Sequence, residues 1–199
     1  MVKIVNSVVL SFIPIFVAVD AIANIPIFLS LVENCSKKQK RKIISDAVKT
    51  ATSVAVIFIC LGKWVFSLLG VTVPDFQIAG GLLLFVLSAR LLFPGAQKDG
   101  LTSMHDRDIG VFPLGTPLIT GPAVLTTTLM MVNSFGVLAT LIALIINMFI
   151  VWISLFKADV IMKFIGPSGT RAFSKIMYIL LAAIAVMMVR NGITGALLR

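Results

Sequence analysis

Six stretches of about twenty consecutive, mostly apolar residues dominate this sequence. Each is long enough to cross a hydrocarbon layer roughly 30 Å thick as a helix. They fall at roughly 4–32, 45–69, 75–94, 110–133, 136–157 and 172–196. Turn-forming residues separate them: Gly70 and Pro74, Pro94-Gly95, Asn133 to Gly136, and Gly166-Pro167-Ser168-Gly169. The runs are continuous rather than alternating, which argues against a membrane β-barrel. Helices satisfy their own backbone groups in lipid, and this decides the fold class. Composition agrees: 59% of the 199 residues are apolar and 13% are charged, against about 25% charged in soluble domains. The expectation is an all-α polytopic membrane protein, one transmembrane domain over 1–199 held in a lipid bilayer. Lys3, the apolar run after it and the small residues from Ala18 to Ala23 imitate a secretory signal. The stretch nevertheless continues through Pro26-Ile27-Phe28 and basic residues follow, so the first span is read as retained.

The net charge of +9 would suggest nucleic-acid binding in a soluble protein. Here its distribution reads as a topology signal. Of the 17 Lys and Arg residues, Lys3, Lys63, Arg190 and Arg199 fall on one side of the membrane and the rest on the other, including the run from Lys37 to Lys42. The loops near 33–44, 95–109 and 158–171 are then cytoplasmic, and both termini lie outside. No nucleic-acid partner is expected. A single histidine, His105, sits in a polar loop, so neither a metal centre nor an intramembrane nucleophile–base pair is in view. No catalytic residue, metal or cofactor is assigned, and the absence of a P-loop argues against ATP-driven transport by this chain alone. Cys35 and Cys60 would stand about 37 Å apart along one helix, too far for a disulfide. Oligomeric state is left open.

The middles of spans one and four correspond. DAIANIPIFLSLV begins at Asp20 and TPLITGPAVLTTTLMMV at Thr116. A shift of 96 superposes Asn24-Ile25-Pro26 on Thr120-Gly121-Pro122 and Asp20 on Thr116. Spans three and six match at a shift near 98–100, through IAGGLLLFVLSAR and KIMYILLAAIAVMMVR. Three spans separate the copies, so the halves face opposite ways. The pattern predicts a 3+3 inverted-topology repeat, repeat A over about 1–95 and repeat B over about 110–199, joined by a cytoplasmic loop at 95–109. Helices one and four are expected to be interrupted. Pro26 and Pro122 would withhold the N–H groups that the carbonyls of Ile22 and Leu118 need, with Thr116 and Thr120 adding polar groups in the same layer. Matched interruptions in two halves point to a transporter's midplane site.

Asp20 is the one acidic residue near the middle of a span. A charge there costs about 2.5–3.5 kcal/mol on insertion scales, so it must face protein or water. It is a candidate for ion coupling, and equally for capping a kinked helix. Asn147 in span five reads as interhelical glue, Gly80-Gly81 as a close helix contact, and Asp46 with Lys49 as a pair one turn apart.

At DAIANIPIF, FQIAGGLLLF, PLGTPLITGPAVLTT and LLAAIAVMM the sequence resembles the MarC family of bacterial and archaeal membrane proteins, which includes SnatA-type transporters of small neutral amino acids. Ala21 and Ala23 stand where members often carry Pro and Gly, implying a milder first kink. The resemblance implies six spans and an inner-membrane location; that the chain is not an enzyme is expected from the missing nucleophile–base pair and metal ligands. The SnatA branch implies ion-driven movement of glycine- or alanine-like substrates. The leading expectation is a secondary transporter of small neutral amino acids, coupled to H+ or Na+ and working by alternating access. Substrate would lie at Asn24, Ile25, Pro26, Thr116, Thr120, Gly121 and Pro122. Export of other metabolites or drugs, and a non-transporting scaffold, are the alternatives.

Overall fold

The computed structural model describes residues 2–33, 35–93, 109–163 and 166–197. Among them the chain forms α1 (Val2–Val19), α2 (Ala21–Leu31), α3 (Lys37–Leu69), α4 (Val73–Leu92), an irregular π-type segment (Gly110–Ile119), α5 (Pro122–Phe135), α6 (Val137–Phe156), α7 (Ala158–Lys163) and α8 (Gly166–Leu197). Five stretches are long and apolar enough to span a bilayer: Ile4–Leu31, Lys37–Gly62, Val73–Leu92, Val137–Phe156 and Lys175–Leu197. The π segment and α5, bent by 53°, supply the sixth. Most of the joining loop expected at 95–109 lies outside the described residues.

Local chemistry sets the helix ends. α3 starts ahead of its apolar run because Ser36 caps it: the Ser36 hydroxyl accepts the Gln39 N–H, and the Gln39 side chain accepts the Ser36 N–H. Gly70 at φ 65° closes α3, and a second capping box, Thr72 with Asp75, opens α4. Large apolar side chains such as Val17, Trp64, Leu83 and Phe149 remain exposed on the outside of the bundle, as expected of a surface that faces lipid.

Packing follows small residues. Ile43, Ala47, Ala51, Ala55 and Ile59 form a buried stripe along α3 at four-residue spacing. The π segment lies against this stripe, so close that a β-carbon added at Gly115 would stand 3.0 Å from the Ala47 carbonyl oxygen. α4 and α8 also approach closely, as expected of Gly80-Gly81: a β-carbon at Gly81 would meet the Ala185 carbonyl at 2.8 Å. The first span of each half lies on the second span of the other, α1 on α6 and the π segment on α3, while α4 packs on α8. This exchange of partners fits the 3+3 arrangement. Two side chains bolt it together. Asn147 donates from α6 to the Phe12 carbonyl of α1 (3.3 Å), and Thr120 donates to the Ala51 carbonyl of α3 (3.0 Å). Asp46 and Lys49 do not pair; the ion pair among the described residues is Lys40 with Asp159.

Both spans expected to be interrupted are interrupted, but not at Pro26 or Pro122. The first break is at Asp20, six residues before Pro26, and α2 runs through Pro26. Asp20 takes the left-handed conformation (φ 45°, ψ 61°), which ends α1. Pro122 opens α5 rather than kinking it. At the first helical position a missing N–H breaks no bond. The disruption lies upstream, where Phe112 and Thr116, the residues before Pro113 and Pro117, adopt the extended backbone that a following proline favours.

Candidate functional site

The two breaks face one another across a small, partly open cavity of about 60 Å³. Asp20, Ala23 and Asn24 line it from the first break, and Pro117, Gly121, Pro122 and Ala123 from the second; Leu84 of α4 and Met188 of α8 close it laterally. Of the residues expected at the site, Asp20, Asn24, Gly121 and Pro122 therefore share one cavity. Ile25 and Pro26 are buried beside it without lining it. Thr120 is turned to α3 through its bond to Ala51, and the Thr116 hydroxyl donates to the Val111 carbonyl at 3.3 Å. Leu84, Ala123 and Met188 were not singled out from the sequence, whereas Pro117 was, as a further disturbance of span four. The only signal for Ala123 was its place immediately after Gly121-Pro122.

The first break is sealed by its own side chains. The Asp20 carboxylate accepts the Ala23 N–H (3.3 Å), occupying the amino end of α2. Asn24 reaches the other way: its side-chain amide donates to the Val19 carbonyl (2.9 Å), satisfying an acceptor stranded at the carboxyl end of α1. Asn24 is 3% exposed, so that carbonyl would otherwise be buried without a partner.

The second break has no such seal. Gly121, extended at φ −97° and ψ −178°, offers no side chain to cap α5. Pro122 has no N–H, and the first intrahelical bond across this end runs from the Leu125 N–H to the Gly121 carbonyl (3.0 Å). The N–H groups of Ala123 and Val124 thus lack intrahelical acceptors, and both residues line the cavity. One wall therefore carries a carboxylate, and the facing wall an uncapped helix amino end with its positive partial charge.

A bundle of lipid-exposed helices, with two interrupted spans meeting at a small dipolar cavity, defines a multi-pass integral membrane protein. Its sequence matches the model of the MarC family of integral membrane proteins over residues 5–197. A UPF0056 membrane protein of Methanocaldococcus jannaschii is 32% identical, with 96% of this chain and 89% of that protein covered. The UPF0056 inner membrane protein YhgN of Escherichia coli K12 is 24% identical over 94% of this chain and 96% of its own length. No solved structure matches. The chain belongs to the MarC family.

Proposed function

We propose that the protein is a secondary transporter of small neutral amino acids, glycine- or alanine-like, driven by an H+ or Na+ gradient. The observation that carries this reading is the pairing of a carboxylate and an uncapped helix amino end across one cavity of about 60 Å³. That pair complements a zwitterion. The substrate carboxylate takes the N–H groups of Ala123 and Val124, and its ammonium faces Asp20 and the side-chain oxygen of Asn24. Asp20, already meeting a cation in this scheme, is also where the coupling ion acts. Ile25, Pro26, Thr116 and Thr120 hold the two breaks from behind.

Size supports the same choice. Drug-sized ligands occupy sites of roughly 300–1,000 Å³, so export of bulky drugs fits this cavity poorly. Rocking of one half against the other, with the breaks as a shared centre, would alternate access. The membrane is the cell inner membrane, with both termini outside and the basic loops in the cytoplasm. Uptake of radiolabelled glycine and alanine into proteoliposomes tests the proposal. Saturable, gradient-dependent flux is expected; no saturable flux under either ion gradient overturns it.

A further inference from the structure

A second and larger hollow, of about 540 Å³, opens at the end of the bundle that carries the α3–α4 turn. Ser67, Thr72, Gln77, Thr126 and Asn133 set neutral polar groups and no charge into a lining that is otherwise apolar, with Val71, Val73, Leu129 and Met130; the Thr72 and Thr126 hydroxyls donate to Asp75 and to the Ala123 carbonyl. Its position relative to the smaller cavity is fixed by two helices that line both. On α4, Gln77 faces the hollow and Leu84 the cavity; on α5, Thr126 faces the hollow and Ala123 the cavity. Between them Gly80 rests directly on the Pro122 ring, leaving no room for even a β-carbon. Gln77, Gly80 and Leu84 lie on one face of α4, and Pro122, Thr126 and Leu129 on one face of α5. Hollow and cavity are thus separated by a single layer, about one helical turn or 5–6 Å thick. Toward the opposite, basic end the arrangement differs. There Ile27 and Leu181, which also line the cavity, join Leu87, Leu91 and Tyr178 in one buried apolar cluster.

We infer that the hollow is a vestibule receiving small neutral, hydrogen-bonding solutes on their way to or from the cavity, and that the Gly80–Pro122 contact is the barrier between the two. This rests on the transporter reading above. Gly80 is the residue that sets the closure: with no side chain, it lets α4 seat on the very proline that opens α5, so the barrier and the binding end of α5 move together. A rigid-body shift of α4 by one side-chain layer joins the two spaces, whereas the apolar cluster on the other side must be dismantled to open.

The test uses the full chain with Cys35 and Cys60 replaced by serine, reconstituted in proteoliposomes. Single cysteines at Gln77, Thr126, Ala123 and Leu84 are exposed to a membrane-impermeant, positively charged methanethiosulfonate, added from the face that carries the α3–α4 turn. Gln77→Cys and Thr126→Cys should react promptly. Ala123→Cys and Leu84→Cys should react about 10- to 1,000-fold more slowly, as expected if the open state is a minor population of about 0.1–10%. Adding Gly80→Ala, whose β-carbon cannot coexist with the Pro122 ring, should bring Ala123→Cys to within a few-fold of Gln77→Cys. Equal rates at all four positions without Gly80→Ala overturn the barrier. Labelling of Gln77→Cys by a lipid-soluble maleimide alone overturns the vestibule, because the hollow then belongs to lipid. Should Gly80→Ala fail to fold, the rate difference among the four cysteines still decides. The outcomes stay distinct from those of the transporter reading: absent amino-acid flux with the rate difference intact sinks the substrate assignment, while normal flux with an inert Gln77→Cys sinks the vestibule.

Discussion

The two breaks occupy matched places in the sequence and are made by different chemistry. At the first, a residue with a side chain, Asp20, adopts the left-handed conformation and caps the next helix with its own carboxylate. At the second, the chain is turned by extended backbone at Thr116 and Gly121, and α5 begins with no cap. The geometry differs as well. The first break leaves Ile4–Leu31 as one span, the milder kink expected from Ala21 and Ala23, whereas the second bends by 53°. A strictly symmetric pair would present two helix amino ends of one sign to the shared cavity. Here one break carries its own acidic side chain and the other does not, so the pair is dipolar. That difference, more than the breaks themselves, is what the proposal of a zwitterionic substrate rests on.

The comparison breaks most decisively at Gly121. A β-carbon there would collide with the Pro117 carbonyl oxygen, so Gly121→Ala must displace the amino end of α5. Overpacking of this kind costs about 1–3 kcal/mol, and misplacing a binding group by about 1 Å can cost on the order of 100-fold in rate. Uptake should fall by about that factor and the melting temperature should drop. Retained flux would mean that α5's end does not hold substrate. Next comes Asp20, where two substitutions separate charge from capping. Asp20→Ala loses both the cap, about 0.5–2 kcal/mol, and tolerance of the left-handed conformation, about 1–2 kcal/mol. Asp20→Asn keeps the acceptor and the conformation but removes the charge. Near wild-type melting with uptake reduced at least about tenfold, the equivalent of 1.4 kcal/mol, is expected for Asp20→Asn. If Asp20→Asn transports normally, the carboxylate is a cap and nothing more.

The spans were legible because lipid enforces continuous apolar runs, and the correspondence of Asn24 with Thr120 was legible because the shift of 96 recurs. The shift reaches further than the motifs: Ala51 and Asn147 are also 96 apart, and both take part in the bonds that tie a broken span to the opposite half. The emphasis on Pro26 and Pro122 as the break points was misplaced, although Asp20 was legible as a cap and Pro117 as a disturbance. Proline is conspicuous in a sequence, but its effect depends on its place in a helix, harmless at the first position and tolerated within α2. The sequence offered Asp20 as a cap, which it is, but gave no sign of its left-handed backbone at φ 45°. Thr120 and Asn24 occupy equivalent positions, yet one side chain faces the α1 terminus and the other faces α3, a choice made by neighbours that the local sequence does not name. The hollow beside Gln77 escaped notice because its residues come from three helices and share no motif.

Smaller effects sharpen the comparison by testing what holds each break in place. Asn24→Ala strands the Val19 carbonyl in a buried setting, and an unsatisfied buried acceptor costs about 1–3 kcal/mol; thermal unfolding in detergent should register a clear loss. Thr120→Val removes the matching polar group of the second break with almost no change of shape. It should cost less, about 0.5–1.5 kcal/mol, because Ala51 lies inside α3, where its carbonyl also serves the helix itself. Its hydroxyl is 2% exposed and already committed, so the Michaelis constant for amino-acid uptake should stay where it is while stability falls slightly. A shift in that constant at unchanged stability would instead place the Thr120 hydroxyl on the substrate. The second break would then carry a side-chain ligand after all, and the contrast between a side-chain-sealed break and a bare main-chain one would fail at the point where it was drawn.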